Sequence, residues 1–271
     1  MLTVAALQIT STEDLAANLA RCRTWAIEAA ARGASLVGLP ENFAYLGSDR
    51  DHKLGLAEDL DGAAPGPILA AMQETARSAG CWLLLGGFPE KAGPADRIHN
   101  TSILLSADGR IAARYRKVHL FDVDVPGGSR FRESETVSAG VEAVVAETPW
   151  GGLGLTVCYD LRFPELYRSL AARGARILAV PSAFTRDTGK DHWHVLLRAR
   201  AIENQAFVIA PAQFGHHGGK RTSYGHAMVV DPWGAVIAEC GDHEGLAIAT
   251  LDFDYQDRVR RDLPSLQHRR L

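Results

Sequence analysis

Strand-like and helix-like segments alternate from end to end of the chain, and one passage of that alternation occurs twice. GASLVGLP (33–40) and GARILAVP (174–181) share the pattern Gly-Ala-x-apolar-apolar-x-apolar-Pro, and each follows a helical stretch. A helix that ends on glycine and feeds a short buried strand is one αβ step. Two such steps suggest two similar halves, each laying helices on one face of its own sheet. Packed sheet against sheet, they give an α/β fold, a four-layer αββα sandwich. The eight-residue match is also compatible with a single doubly wound sheet.

The remaining segments fit the same scheme. LTVAALQ (2–8) reads as a strand. A helix is expected from about 13 to 32, with Leu15, Leu19, Cys22 and Ala26 at helical spacing and Ser11 or Thr12 as its cap. Residues 66–80 form a second helix, with Pro67 near its start and Gly80 at its end. Asp108-Gly109 marks a hairpin between two strands. Another helix spans about 191–205 and is followed by strands in AFVIAPA, HAMVVDPWGAVIAEC and LAIATLDFD. Two irregular stretches, 42–65 and 121–140, read as active-site loops. No linker is evident, so the 271 residues are expected to form one domain.

Composition excludes several classes of partner. A net charge of −3 gives no general pull toward nucleic acid or membrane. No segment approaches the roughly 20 apolar residues of a spanning helix, and the N-terminus does not read as a signal peptide. Cys22, Cys81, Cys158 and Cys240 form neither a CxxC pair nor a dense disulfide framework, which points to a reducing, cytoplasmic setting. Arg258, Arg260, Arg261, His268, Arg269 and Arg270 concentrate at the C-terminus and read as a solvated or subunit-packing tail.

Candidate chemistry lies at strand ends. LTVCYDLRFPELYR (155–168) passes from a buried strand, read over 153–157, through Cys158 to a helix that Pro164 can open. On local grammar alone Cys158 is either a small core residue or a group placed to react. Glu41 follows LVGLP directly, and Lys117 ends RIAARYRK. If the three strand ends meet, a carboxylate can take a thiol proton, a thiolate can attack a carbonyl, and an ammonium can hold the oxyanion. His192-x-His194 and His216-His217 have no cysteine or well-spaced carboxylate to complete a zinc site, and they read as solvated or hydrogen-bonded histidines. His119 is an alternative base for Cys158. The Gly-Gly-Lys at 218–220 lacks the rest of a phosphate-binding loop.

LPENF, YRKVHLFDVDVPG, FRESETVSAG, VCYDLRFPELYR, HWHVLLRARAIENQAFVIA and SYGHAMVVDPWG together resemble the nitrilase (carbon–nitrogen hydrolase) superfamily over nearly the whole chain. The resemblance implies the αββα sandwich, a Glu–Lys–Cys triad and a homodimer or larger homo-oligomer. It implies Cys158 as nucleophile, Glu41 as general base, and Lys117 as oxyanion donor aided by the backbone N–H of Tyr159. Glu133 matches a second family glutamate that positions Lys117 or the substrate. A lysine beside the thiol is expected to favour thiolate. No metal or organic cofactor is implied; the partner is a small-molecule amide.

Within the superfamily, PSAFTRDTGKDHWHVLLRARAIENQ and FGHHGGKRTSYGHAMVVDPWG resemble the Nit branch and its deaminated-glutathione amidases. That implies cleavage of the amide between a 2-oxoglutaryl group and Cys-Gly. Arg162 would grip the 2-oxo acid carboxylate in bidentate fashion, and Phe184 would line the pocket. An ion pair of Arg162 with Glu165 is the structural alternative. An ω-amidase acting on 2-oxoglutaramate, an N-carbamoyl amino acid hydrolase on the same fold, a binding protein without catalysis and a metal-dependent hydrolase remain open.

Overall fold

In the computed structural model, which describes residues 1–94, 96–124, 130–218 and 221–270, the first strand already shows how the layers divide. Along β1 (Leu2–Ile9), Val4 and Ala6 belong to the core between the two sheets, while Ala5, Leu7 and Ile9 belong to the core beneath helices. Successive strand side chains point to opposite faces, so a strand that is apolar on both must be covered on both. The neighbouring strands repeat the division. In β2 (Leu36–Gly38), Leu36 faces the second sheet and Val37 the helices. In β3 (Trp82–Lys91) and β4 (Ile98–Leu105), Leu84 and Leu104 face the second sheet, and Leu83, Leu85, Ile103 and Leu105 the helices.

The chain continues through β5 (Ile111–Arg116), a small hairpin of β6 (Asp122–Asp124) and β7 (Arg130–Arg132), then β8 (Val144–Ala146), β9 (Gly152–Leu155), β10 (Ala175–Ala179) and β11 (Phe207–Ala210). It ends with β12 (Ala212–His216), β13 (Thr222–Tyr224), β14 (Met228–Val230), β15 (Val236–Glu239) and β16 (Gly245–Leu251). The first sheet runs β13-β12-β1-β2-β3-β4-β5, with β16 antiparallel on β1; the second runs β15-β14-β11-β10-β9-β8. Helices α1 (Leu15–Ala31), α2 (Arg50–Gly55), α3 (Pro67–Ala79), α4 (Pro164–Ala172), α5 (Arg186–Asn204) and α6 (Phe253–Asp262) complete the chain. α1 and α3 cover the first sheet through Cys22, Ala26, Ile68 and Met72; α4 and α5 join the second through Tyr167, Leu170, Trp193 and Leu197.

This is the expected αββα sandwich. The repeated octapeptides supply β2 to one sheet and β10 to the other, each parallel to its neighbours. Gly33 and Gly174, which open them, both lie in the left-handed region, at φ 90° and 93°.

Three local expectations need correction. α1 starts later than expected because Asp14, not Ser11 or Thr12, caps it, accepting from Ala17 N–H at 3.0 Å. Ser11 bonds instead to Phe43 O and Gln213, tying loops together. α5 begins at Arg186 rather than near 191; its first turns are polar, and Gly189 there reads as a breaker. The glycine is needed for packing, since a Cβ would lie 2.4 Å from Tyr224 Cβ. β9 stops at Leu155, because Asp160 Oδ2 takes the N–H of Val157 at 2.8 Å. The stretches read as loops contain α2, the β6–β7 hairpin and a 3₁₀ turn at Glu133–Glu135.

Candidate active site

The two proline-ended octapeptides bring their C-terminal ends together. β3 passes beneath both on adjacent glycines, at a break in register between Leu85 and Phe88. A Cβ on Gly86 would lie 2.3 Å from Pro181 Cβ, and one on Gly87 2.7 Å from both Glu41 Cγ and Asn42 N. This close passage sets Glu41, just past Pro40, beside the segment after Pro181. Ala183 N–H donates to Glu41 Oε2 at 3.1 Å.

Lys117 arrives from the far edge of the same sheet. Its N–H bonds Asn100 O at 2.9 Å, which fixes where β5 ends against β4. Its ammonium donates to Glu41 Oε1 at 3.0 Å and to Glu133 Oε2 and Oε1 at 2.8 and 3.1 Å. Asn100 Nδ2 bridges the same two carboxylates, at 2.9 Å each. Glu133 is held in turn by the N–H of Phe121 at 2.7 Å. The cluster is nearly dry: Glu41 is 3% exposed and Lys117 2%. Burial alone would neutralise these groups. It pushes Glu41 up, but the Lys117 charge and hydrogen bonds from Cys158, Lys117 and Asn100 outweigh it and hold the carboxyl at about 2. Burial likewise disfavours the Lys117 ammonium, and Glu133 and Glu41 reverse that and raise it. The lysine is therefore locked as a cation beside an ionised Glu41.

Cys158 opens the 3₁₀ turn Cys158–Arg162 in the left-handed region, at φ 48°. A non-glycine residue there is strained and is held by its surroundings. Its N–H bonds Pro181 O at 2.9 Å, while the N–H of Tyr159 has no partner among the described residues. Asp160, fully buried, ties the turn down: it accepts from Tyr115 Oη (2.8 Å) and from the backbone of Val157 and His119. His119 Nδ1 also meets Asp160 Oδ1 at 2.8 Å, and its ring stacks on Phe163 at 3.7 Å. The thiol's side-chain partner is Glu41, and among the described residues no hydrogen bond joins His119 to Cys158, so Glu41 rather than His119 stands as its base.

Lys117 favours the thiolate, as expected, but it is outweighed. Burial and then the Glu41 carboxylate raise the Cys158 thiol, and Lys117 and the Ala183 N–H offset this only in part. Lys117 is already engaged by two carboxylates. What the site holds at rest is a thiol hydrogen-bonded to an ionised carboxylate, which is a proton donor facing its acceptor.

These groups border a cavity of about 280 Å³. Tyr159, Arg162 and Phe184 also line it. The guanidinium of Arg162 stands 5.0 Å over the Phe184 ring and meets His192 Nδ1 at 3.1 Å; among the described residues it makes no ion pair with Glu165. The 42–65 and 121–140 stretches contribute Lys53 and Phe121, among others. Asn100, Lys53 and Arg221 were not anticipated from sequence. For Asn100 the signal was a polar residue at mid-strand in IHNTSILL; for the two cations there was none.

Two histidine groups lie outside this machinery. His194 has company after all: with His226 and Glu239 it forms a set whose ligand atoms lie within 4.8 Å of one another. Such a set could take a metal ion, but both imidazoles already bond Glu239 Oε1, at 2.8 and 2.7 Å, and none of the three lines the cavity. Gly219 and Lys220 lie outside the described residues. His217 is buried between Ser11 O (2.9 Å) and Ser223 Oγ (2.8 Å), and burial lowers its pKa from 6.5 to about 4. The unfolded chain therefore binds the extra proton first. The His217 contribution is complete above pH 6.5 and lost as pH falls toward 4, for about 3 kcal/mol. Urea unfolding across that range should show wild type losing its advantage over His217→Gln; a constant gap would contradict the assignment.

Residues 3–261 match the carbon–nitrogen hydrolase family. The chain belongs to that family. Carbon–nitrogen hydrolases similar to it include the deaminated glutathione amidase of Synechocystis sp., 49% identical over 98% of this chain and 97% of that one. Saccharomyces cerevisiae Nit3, of branch 10 of the nitrilase superfamily, is 34% identical with a TM-score of 0.88, over 100% and 97% of the two chains. An amidase from Nesterenkonia sp. AN1, seen as a Glu-to-Gln variant with acrylamide added at its active-site cysteine, is 29% identical with a TM-score of 0.79, over 97% and 98%. As a family member the chain is a hydrolase of carbon–nitrogen bonds other than peptide bonds.

Proposed function

We propose that the chain works across residues 1–271 as one carbon–nitrogen hydrolase unit that cleaves deaminated glutathione to 2-oxoglutarate and Cys-Gly. The observation that carries the reading is the buried Glu41–Lys117–Glu133 network set against the Cys158 thiol. The Synechocystis relative supports the substrate, and the Nesterenkonia amidase supports a reactive cysteine.

Cys158 is the nucleophile. Its proton passes to Glu41 as sulfur attacks the 2-oxoglutaryl amide carbonyl. Lys117 Nζ and the open N–H of Tyr159 receive the oxyanion. Glu133 keeps Lys117 charged and aimed. Transfer to a carboxylate held at about 2 is uphill at rest. As the lysine turns toward the oxyanion, Glu41 loses part of what stabilises its charge and becomes a stronger base when the step needs one. Glu41 then passes the proton to the leaving nitrogen, Cys-Gly departs and a thioester remains. Glu41 next takes a proton from water, which attacks the thioester; 2-oxoglutarate leaves and the thiol is restored. Arg162, which makes no ion pair among the described residues, holds the carboxylate next to the 2-oxo group, above Phe184.

The same reading places the enzyme in the cytoplasm as a homodimer. All four cysteines are free. Among the described residues no helix is long and apolar enough to cross a membrane. Val195 and Ile202 on α5 and Trp233 and Ile237 near β15 are 66%, 48%, 59% and 41% exposed, an apolar surface suited to a second copy.

Initial rates on 2-oxoglutaryl-Cys-Gly, 2-oxoglutaramate and an N-carbamoyl amino acid test the substrate. The highest kcat/KM is expected on 2-oxoglutaryl-Cys-Gly. A preference for 2-oxoglutaramate would make the enzyme an ω-amidase, and a preference for the carbamoyl compound would remove Arg162 from its role.

A further inference from the structure

Among the described residues, four of the six cations on the cavity wall make no ion pair: Arg50, which bonds Glu135 O, Arg162, placed above at the 2-oxo end, and Lys53 and Arg221. Lys117 is neutralised by Glu41 and Glu133, and Arg132 by Asp124 at 2.6 Å. Lys53, from α2, has only the amide oxygen of Asn42, at 3.2 Å, and makes no ion pair among the described residues. Arg221, at the entry to β13, also makes none; its Nε is buried without a hydrogen-bond partner. Burial lowers the Lys53 pKa, the Glu133 charge works against this, and the nearby Arg221 charge adds to the lowering. A buried guanidinium nitrogen with no acceptor, beside a second cation, is an uncompensated cost unless an anion arrives.

Arg162, four residues after Cys158, already meets one anion need of the substrate in the reading above. Deaminated glutathione has a second carboxylate, on the glycine of the leaving dipeptide, and 2-oxoglutaramate does not. We infer that Lys53 and Arg221 form a carboxylate clamp for the leaving-group end of the substrate, selecting amides of dipeptides with a free C-terminal carboxylate over simple amides. A guanidinium and an ammonium suit that ligand, because a planar fork and a point charge can share one carboxylate. The inference rests on the proposed substrate.

The test compares wild type, Arg221→Gln and Lys53→Met on 2-oxoglutaryl-Cys-Gly, on its glycine carboxamide and on 2-oxoglutaramate. In each variant the kcat/KM ratio of the dipeptidyl substrate to 2-oxoglutaramate is expected to fall at least tenfold, mainly through KM. Wild type is expected to prefer the free carboxylate over the carboxamide by a similar factor, and Arg221→Gln to lose most of that preference. Equal losses on all three substrates, or a variant that still discriminates against the carboxamide as wild type does, would overturn the clamp and leave the amidase reading intact. No wild-type turnover of 2-oxoglutaryl-Cys-Gly would overturn the reading itself, and the clamp with it.

Discussion

Cys158→Ala is expected to lose turnover by four or more orders of magnitude while keeping its fold. The covalent step has no substitute, and groups that act as one nucleophilic unit lose nearly everything when one is removed. The structural cost is small. Cys158 is 8% exposed at the cavity, so deleting its sulfur enlarges an existing space. Alanine meets the same strain at φ 48° that cysteine meets. Asp160, with its bonds to Tyr115, Val157 and His119, continues to hold the turn. Circular dichroism and a melting curve close to wild type, alongside absent product, are the expected pair of results. More than about 1% residual turnover would rule out Cys158 as the nucleophile.

Lys117→Met carries the second large effect, and it falls on activity and stability together. Loss of one oxyanion donor costs about 3 kcal/mol of transition-state stabilisation, or 10²–10³ in kcat. The variant also leaves two carboxylates facing each other across Asn100 in a nearly dry site. Removing one partner of a buried ion pair costs roughly 3–5 kcal/mol. A double variant separates the two effects. Adding Glu133→Gln removes one of the opposed charges, so thermal stability should recover in part while turnover stays low. Recovery of turnover along with stability would show that Lys117 only supports the fold.

The architecture was legible where local chemistry and long-range packing agree. α3 follows from Pro67 and Gly80, which mark its ends whatever packs against it. The β4–β5 hairpin follows from Asp108-Gly109, and Gly109 does take a positive φ, 81°. The repeated Gly-Ala…Pro passages gave two strands in two sheets because each glycine ends a helix and each proline ends a strand. Glu41, Lys117 and Cys158 were legible as charged or reactive groups at strand ends, and the structure brings them together with Glu133.

Other features depend on register and distance, which a linear pattern does not carry. Asn100 matters because the β4–β5 pairing puts it opposite the end of β5, where it can bridge two carboxylates. The net balance of charges on the thiol is another such feature. Sequence shows a lysine and a cysteine in one site, but only coordinates show that Lys117 gives its hydrogens to Glu41 and Glu133. Lys53 and Arg221 sit in polar segments without periodicity, where a cation on a cavity wall looks like any solvated one. His194 gains its partners, His226 and Glu239, from two other elements of the second half of the chain.

The central claim is a covalent intermediate on one of four buried thiols. Burial raises the pKa of Cys22, Cys81 and Cys240 as it does that of Cys158, but none of these three lines the cavity. Enzyme quenched in acid during turnover of 2-oxoglutaryl-Cys-Gly, then digested and read by peptide mass spectrometry, locates the acyl group. A single 2-oxoglutaryl adduct on the peptide holding Cys158, absent from Cys158→Ala, is the expected result. An adduct on Cys22, Cys81 or Cys240, or full turnover with no acyl-enzyme under conditions that trap thioesters, would contradict the account.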